Sequence, residues 1–205
     1  MYLDFSGTPG TTSNPSASAI KSIEIQIGGQ QIDKHSGKFM EAYAELTQNN
    51  PIGTVGNTTV ATAVALGTNF QNMSGMGVVI GTATAGRFHV PLQFWFCRNP
   101  GLALPLIALQ YHEVKVVVTF ESAANSITLD NSADGGLSLW ADYVYLDTDE
   151  RRRFAQVSHE YLIEQVQNQS STAADSIDLN FNHPVKEIIW AGVGTDRKST
   201  RLNSS

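Results

Sequence analysis

The run from Pro91 to Glu113, PLQFWFCRNPGLALPLIALQYHE, limits what the chain can fold into more than any other part of it. Pro91, Pro100 and Pro105 cannot donate to a ladder, and with Gly101 they divide the run into an apolar strand, a rigid turn, an apolar rim and a second strand. Phe94, Trp95 and Phe96 carry a large apolar payload that an interior must take up. The spacing puts Phe88, Val90, Leu92, Phe94 and Phe96 on one face of the first strand, and His112, Val114, Val116, Val118 and Phe120 on one face of the next. Cys97, Arg98, His112 and Glu113 have the spacing of neither a catalytic triad nor a metal site, so the run reads as a folding instruction.

Alternation elsewhere predicts more strands. In KSIEIQI, Ile23, Ile25 and Ile27 share one face and Ser22, Glu24 and Gln26 the other, and Gly28 and Gly29 then supply a tight turn. From Ser36 to Gln48 the period changes, with Phe39, Tyr43 and Leu46 at helical spacing. Residues 50–87, rich in Gly, Thr, Asn and Ala, read as an extended loop with short strands near Val60–Leu66 and Val78–Ile80. GLSLWADYVYLDT carries apolar residues on both faces, as in a sheet covered twice or a subunit contact. Asp147 and Glu150 have the spacing of a capping box that starts a short helix through Arg153 and Phe154. HEYLIEQVQ and SIDLNFNHPVKEIIWAG read as further strands, with Pro184 forcing a bulge or an edge. Many short strands, long polar loops and little helix predict an all-β sandwich or jelly roll.

Composition removes several functions. With 205 residues, 41% hydrophobic and 16% charged, the chain has the make-up of one or two globular domains. A net charge of -6, with Arg151, Arg152 and Arg153 as the basic cluster, does not make a phosphate-binding stripe, so no direct nucleic-acid partner is expected. Cys97 is a single cysteine, which reads as a buried thiol in a reducing compartment. No apolar run approaches the roughly 20 residues of a transmembrane segment, and no secretory leader is visible. Tyr2, Leu3 and Phe5 start the chain as though inside a strand, which suggests a segment upstream.

The acidic turn Asp130–Gly135 begins like a calcium loop, but its twelfth position is Ala141 where a bidentate glutamate belongs. His35, His89, His112, His159 and His183 form no ligand pair, no G-x-S-x-G elbow occurs, and sequons at Asn57, Asn72 and Asn168 lack a secretory context. No catalysis, metal or cofactor is expected. Arg151–Arg153 read as a solvated helix face or a contact to a partner carboxylate.

Five segments together carry a resemblance: IGGQQIDKH, the run from Pro91 into Val114, LWADYVYLDTDERRRFA, HEYLIEQVQ and FNHPVKEIIW. In order, and across nearly the whole chain to about Trp190, they resemble the major capsid protein of the nucleocytoplasmic large DNA viruses, in the iridovirus and phycodnavirus style. The motif positions are Gly28, Gly29 and Asp33; Pro91, Phe94, Trp95, Arg98, Asn99, Pro100, Gly101 and Glu113; Asp147, Glu150, Arg151 and Arg152; and His183 and Pro184.

The resemblance implies a double jelly-roll subunit that forms homotrimers of pseudo-hexagonal outline. These tile the icosahedral shell of a virion assembled in host cytoplasm, with minor capsid proteins as further partners. It also implies a division of this chain: a first barrel lacking its N-terminal strands over 1–148, a linker helix and the first strands of a second barrel over 149–195, and a non-native tail over 196–205, DRKSTRLNSS, that reads like sequencing adaptor. Leu102, Leu104, Leu106 and Ile107 are candidate subunit contacts, and the loop from Pro51 to Gly86 a candidate trimer-contact insertion. Two rivals from other classes are a sugar-binding jelly roll stacking on Trp95 or Trp140, and a cupin-like metalloenzyme using His89. The capsid reading expects Trp95 buried.

Overall fold

The computed structural model describes residues 1–9, 14–50, 56–57, 68–79, 86–121, 127–129, 136–171, 176–190 and 203–204. It divides into two units, Met1–Gln165 and Val166–Ser205. In the first, β1 (Tyr2–Pro9) is followed by a short helix, α1 (Pro15–Ala19), by β2 (Ile20–Ile27) and β3 (Gln30–Ser36), and by α2 (Gly37–Thr47). Then come β4 (Gly56–Asn57), α3 (Asn69–Ser74), β5 (Val78–Val79), β6 (Gly86–Pro91), α4 (Trp95–Arg98) and a 3-10 turn at Pro100–Leu102. The unit ends with β7 (Val114–Phe120), β8 (Ile127–Leu129), β9 (Leu137–Trp140) and α5 (Thr148–Gln156).

Two antiparallel sheets build the core. In one, β1 pairs with β6, β8 and β9; in the other the order is β3-β2-β7. The alternation of KSIEIQI meets that of VKVVVTF in register: Ile23 lies opposite Val118 and Ile25 opposite Val116. Ile23 and Ile25 are fully buried, and removing each such side chain from water contributes about 1.5–3 kcal/mol. From the other sheet Leu3, Phe5, Phe88 and Val90 face the same core. Phe5 joins the sheets, with its ring 5.7 Å from that of Phe120, edge-on, and 5.6 Å from that of Phe88. This sheet-rich antiparallel architecture is the all-β jelly-roll class that the alternation predicts.

Gly28 and Gly29 have φ of 59° and 82°, the pair of positive values that a two-residue type I′ hairpin turn needs between right-twisted strands. Ser36 starts α2 by accepting a hydrogen bond from the Phe39 amide at 3.1 Å. The deeply buried face of α2 is Met40 and Ala44, while Phe39, Tyr43 and Leu46 sit at half depth, so the helix is rotated from its predicted orientation.

Three other expectations need correction. The strand expected through Phe96 stops at Pro91, and Trp95–Arg98 is a helical turn. A strand would point Phe94 and Trp95 to opposite faces, and the turn buries both, at 1% and 4% exposure. The strand expected through Asp147 is four residues long, and Tyr143, Val144 and Tyr145 beyond it are exposed.

The third correction concerns HEYLIEQVQ and SIDLNFNHPVKEIIWAG, expected as strands: no residue of the first is in a strand, and among the described residues of the second only Ile189–Trp190 is. In the second unit the side chains of Gln167 and Gln169 take the place of a ladder. Gln169 Nε2 donates to the Asp178 carbonyl at 2.7 Å, its Oε1 accepts from Asn180 N at 3.0 Å, and Gln167 Oε1 accepts from Asn182 N at 3.1 Å. Among the described residues the strands of this unit are β10 (Ile189–Trp190) and β11 (Asn203–Ser204). The expected strand near Val60–Leu66, the turn Asp130–Gly135 and most of the tail from Asp196 lie outside the described residues.

Candidate assembly surface

The run that opens the sequence problem is built around a buried aromatic stack. Phe94 lies against His35, with ring centres 4.6 Å apart, and against Phe96 at 5.6 Å; Trp95 meets Phe96 edge-on at 5.1 Å. His35 also touches Phe39 at 4.9 Å, and its Nε2 lies 2.9 Å from Asp33 Oδ2, both side chains 1% exposed. Asp33 and Phe94, far apart in sequence, are thus parts of one packed cluster. Cys97 in the same turn is a half-buried free thiol whose pKa burial raises.

Arg98 closes the turn. Its guanidinium lies 4.6 Å over the Tyr43 ring and donates to Glu164 Oε2 at 2.9 Å. One cation therefore ties α4, α2 and the segment after α5. That segment is held a second time where His159 stacks on Phe154 and its Nε2 lies 2.8 Å from the Phe154 carbonyl.

Beyond Arg98, Asn99 Oδ1 accepts from Gly101 N at 2.9 Å, and Pro100 sits where its missing N–H costs nothing. The rim is then graded: Leu102 and Leu104 pack against the core, Ile107 is half-buried and Leu106 is 45% exposed. The run returns to the hairpin turn where the Gly28 amide donates to the Glu113 carbonyl at 3.0 Å. A Cβ on Gly28 would stand 2.9 Å from His112 Nδ1. IGGQQIDKH and LQYHEV are therefore spatial neighbours.

Asp147 caps α5 through a 2.6 Å bond from Thr148 N. Arg151, Arg152 and Arg153 are exposed, with Arg152 3.8 Å from Asp149, and no residue of α5 is buried. His183, in the second unit, has a φ of 73° directly before Pro184, and both are exposed.

Two clusters are centred on residues outside those motifs, Asp4 with Arg87 and Glu41 with Gly77. On the outer face of the first sheet, Arg87 makes two bonds to Asp4, at 2.8 and 2.6 Å, while the rings of His89 and Trp140 flank Tyr2 at 6.0 and 6.1 Å. Arg87 holds the Asp4 carboxyl below its ordinary value, against the opposing effect of burial. Beneath α2, Glu41 Oε1 accepts from Gly77 N at 2.8 Å. Only the i, i+4 spacing of Glu41 and Glu45 could have hinted at the second cluster, and nothing local could have hinted at the first.

Among the described residues no three His, Cys, Asp or Glu side chains converge as metal ligands, and no helix is long and apolar enough to cross a membrane. Trp95, a candidate sugar platform, is buried. Trp140 is 53% exposed and stacked on Tyr2.

Residues 5–147 match the family model described as major capsid protein N-terminus, and residues 150–202 the one described as large eukaryotic DNA virus major capsid protein. The chain is 46% identical over 207 residues to the major capsid protein of Pyramimonas orientalis virus, covering 98% of this chain and 50% of that protein. It is 39% identical to the major capsid protein of Paramecium bursaria Chlorella virus 1, covering 93% of this chain and 44% of that protein. Among solved structures, a chain of the quasi-atomic model of the PBCV-1 virus capsid superimposes with a TM-score of 0.62 at 36% identity, over 93% of this chain and 47% of that one. The chain thus spans about half the length of these relatives.

Proposed function

The chain belongs to the major capsid protein family of the large eukaryotic DNA viruses, and on that premise we propose that it is part of a shell-building subunit with no catalysed reaction. Residues 1–148 are then most of one jelly-roll barrel, and 149–195 the linker helix and the opening of a second. Two similar barrels in each subunit give a homotrimer a near-sixfold outline, which tiles a virion shell with minor capsid proteins between capsomers. Assembly takes place in host cytoplasm.

The observation that carries this reading is the division of labour within the run from Pro91 to Glu113. Its aromatic residues Phe94 and Trp95 are spent on the interior, while its rim leaves Leu106 exposed at a turn in which Ala108 N and Leu109 N donate to the Pro105 carbonyl at 2.9 and 3.1 Å. Rigid apolar side chains at a surface are what a subunit contact requires, because little entropy is lost when they are covered.

The test is light scattering and negative-stain electron microscopy of the full-length parent protein. Trimers of hexagonal outline are expected, with a smaller trimer fraction in Leu106→Asp. A monodisperse monomer that binds a glycan array, and loses that binding in Trp140→Ala, would replace the assembly reading with the sugar-binding one.

A further inference from the structure

The turn Gly75–Gly77, between α3 and β5, is gripped from two sides. On one side Gly75 lies so close to β6 that a Cβ there would stand 2.6 Å from Phe88 Cδ1 and 3.3 Å from Pro15 Cγ. On the other side Gly77 lies against α2. Its N–H donates to Glu41 Oε1, and a Cβ at Gly77 would collide with Glu45 Oε1 and stand 3.1 Å from Gln71 Nε2. Both glycines have positive φ, 69° and 63°, so neither position accepts another side chain without strain. Met76 between them is 2% exposed and belongs to the core. Gln71 is fixed in turn by its capping box with Thr68, at 3.0 and 3.2 Å.

The grip has an imbalance. Glu41 Oε2 is buried without a hydrogen-bond partner, and Glu45, one turn further along α2, brings a second carboxylate to the same turn. The other charged groups near α2 do not offset this. Glu24 pairs with Lys34 at 2.6 Å, Asp33 with His35 at 2.9 Å, Arg98 with Glu164, and Lys38 and Lys21 are exposed. An ionised carboxylate with one unsatisfied buried oxygen and a like charge beside it is costly, whereas a protonated one is not.

We propose that Glu41 and Glu45 form a proton-operated latch on the Gly75–Gly77 turn. With a proton on Glu41 the turn stays docked on α2; when the proton leaves, the carboxylate swings toward water and the docking weakens. The Glu41 carboxyl is pushed up from 4.5 to about 7, by burial first and by Glu45 as well, against the bond from Gly77, which favours the ionised form. Because the folded-state value is the higher one, the latch contributes its full stability below pH 4.5 and loses it as pH rises through about 7. The latch works within one chain, so it stands or falls independently of what the chain assembles into.

The test compares the 205-residue chain with Glu41→Gln and Glu45→Gln. Hydrogen exchange at the Gly77 amide, corrected for its intrinsic pH dependence, should be about tenfold less protected at about pH 8 than at about pH 5 in the unaltered chain. Glu41→Gln should show equal protection at both, since a neutral amide needs no proton to stay buried. Glu45→Gln should keep the transition but move its midpoint to lower pH, because one of the two causes of the shift is gone. Equal protection at both pH values in the unaltered chain overturns the latch, as does an undiminished transition in Glu41→Gln. Should Glu41→Gln fail to fold, the Glu45→Gln arm decides, and an unmoved midpoint overturns the proposal.

Discussion

Asp4 lies on the face of β1 turned away from Leu3 and Phe5, where water would be expected, yet it is 3% exposed. Arg87 on the neighbouring strand grips both its oxygens, and the rings of Tyr2, His89 and Trp140 line the same face. A buried carboxylate costs little when two charge-assisted bonds satisfy it and much when they are removed. Replacing Arg87 by Met should therefore lower unfolding stability at neutral pH by about 1–3 kcal/mol, in keeping with a guanidinium that is partly exposed. The pH profile gives a second readout. The Asp4 value is depressed in the folded state, so its contribution is present above the ordinary 3.8 and is lost as acid drives protonation below it. In Arg87→Met the largest cause of the depression is gone and burial is opposed only by the smaller effects of His89 and Trp140, so acid destabilisation attributable to Asp4 should shrink in urea titrations. Identical acid limbs in the two proteins would show that the pair contributes nothing.

At the scale of elements, the β3-β2-β7 sheet depends on one turn. Gly28 and Gly29 set the β2–β3 register, and a slip of one residue would turn Ile23 and Ile25 out of the core. Both glycines need positive φ, but only Gly28 has a close neighbour, His112. Alanine at Gly29 should cost about 1–2 kcal/mol, the penalty of left-handed backbone, while alanine at Gly28 should cost more, because His112 must also move. Thermal melts of the two variants and of Gly28→Ala with His112→Ala separate the terms: the double variant should return to the cost of Gly29→Ala, and a Gly28→Ala no worse than Gly29→Ala would remove His112 from the account. This turn and the strands beside it were legible in the sequence because alternation and a Gly-Gly pair are local signals. The turn at Trp95–Arg98 was not, since a continuous apolar run has no period to distinguish strand from helix. Nor were the partners of Arg98 and Asp4, which lie 66 and 83 residues away in the chain. The candidate rim was legible as residues and hidden as geometry: Leu102 and Leu104 pack against the core while Leu106 is exposed, where the chain turns again at Pro105.

Across the whole first unit the burial is lopsided. Leu137 pairs with Phe5 and Leu139 with Leu3, so all four side chains point to the same face of their sheet. Phe5 and Leu3 are 1% exposed, whereas Leu137 and Leu139 are each 44% exposed. The inner face of the sheet is thus covered at β1 and open at β9, among the described residues. An open apolar face continuous with a core is an association surface, since the same transfer free energy that buries Leu3 acts on Leu139 whenever another surface can cover it. The 205-residue chain should therefore self-associate in a concentration-dependent way, and Leu137→Lys with Leu139→Lys should shift it toward smaller species in sedimentation velocity. The charges fall on an exposed edge strand, so far-UV circular dichroism of the double variant should match that of the unaltered chain, and a Leu3→Lys control, placed in the closed part of the same face, should unfold instead. Unchanged sedimentation of a folded double variant would mean that the open part of this face is not where the chain associates.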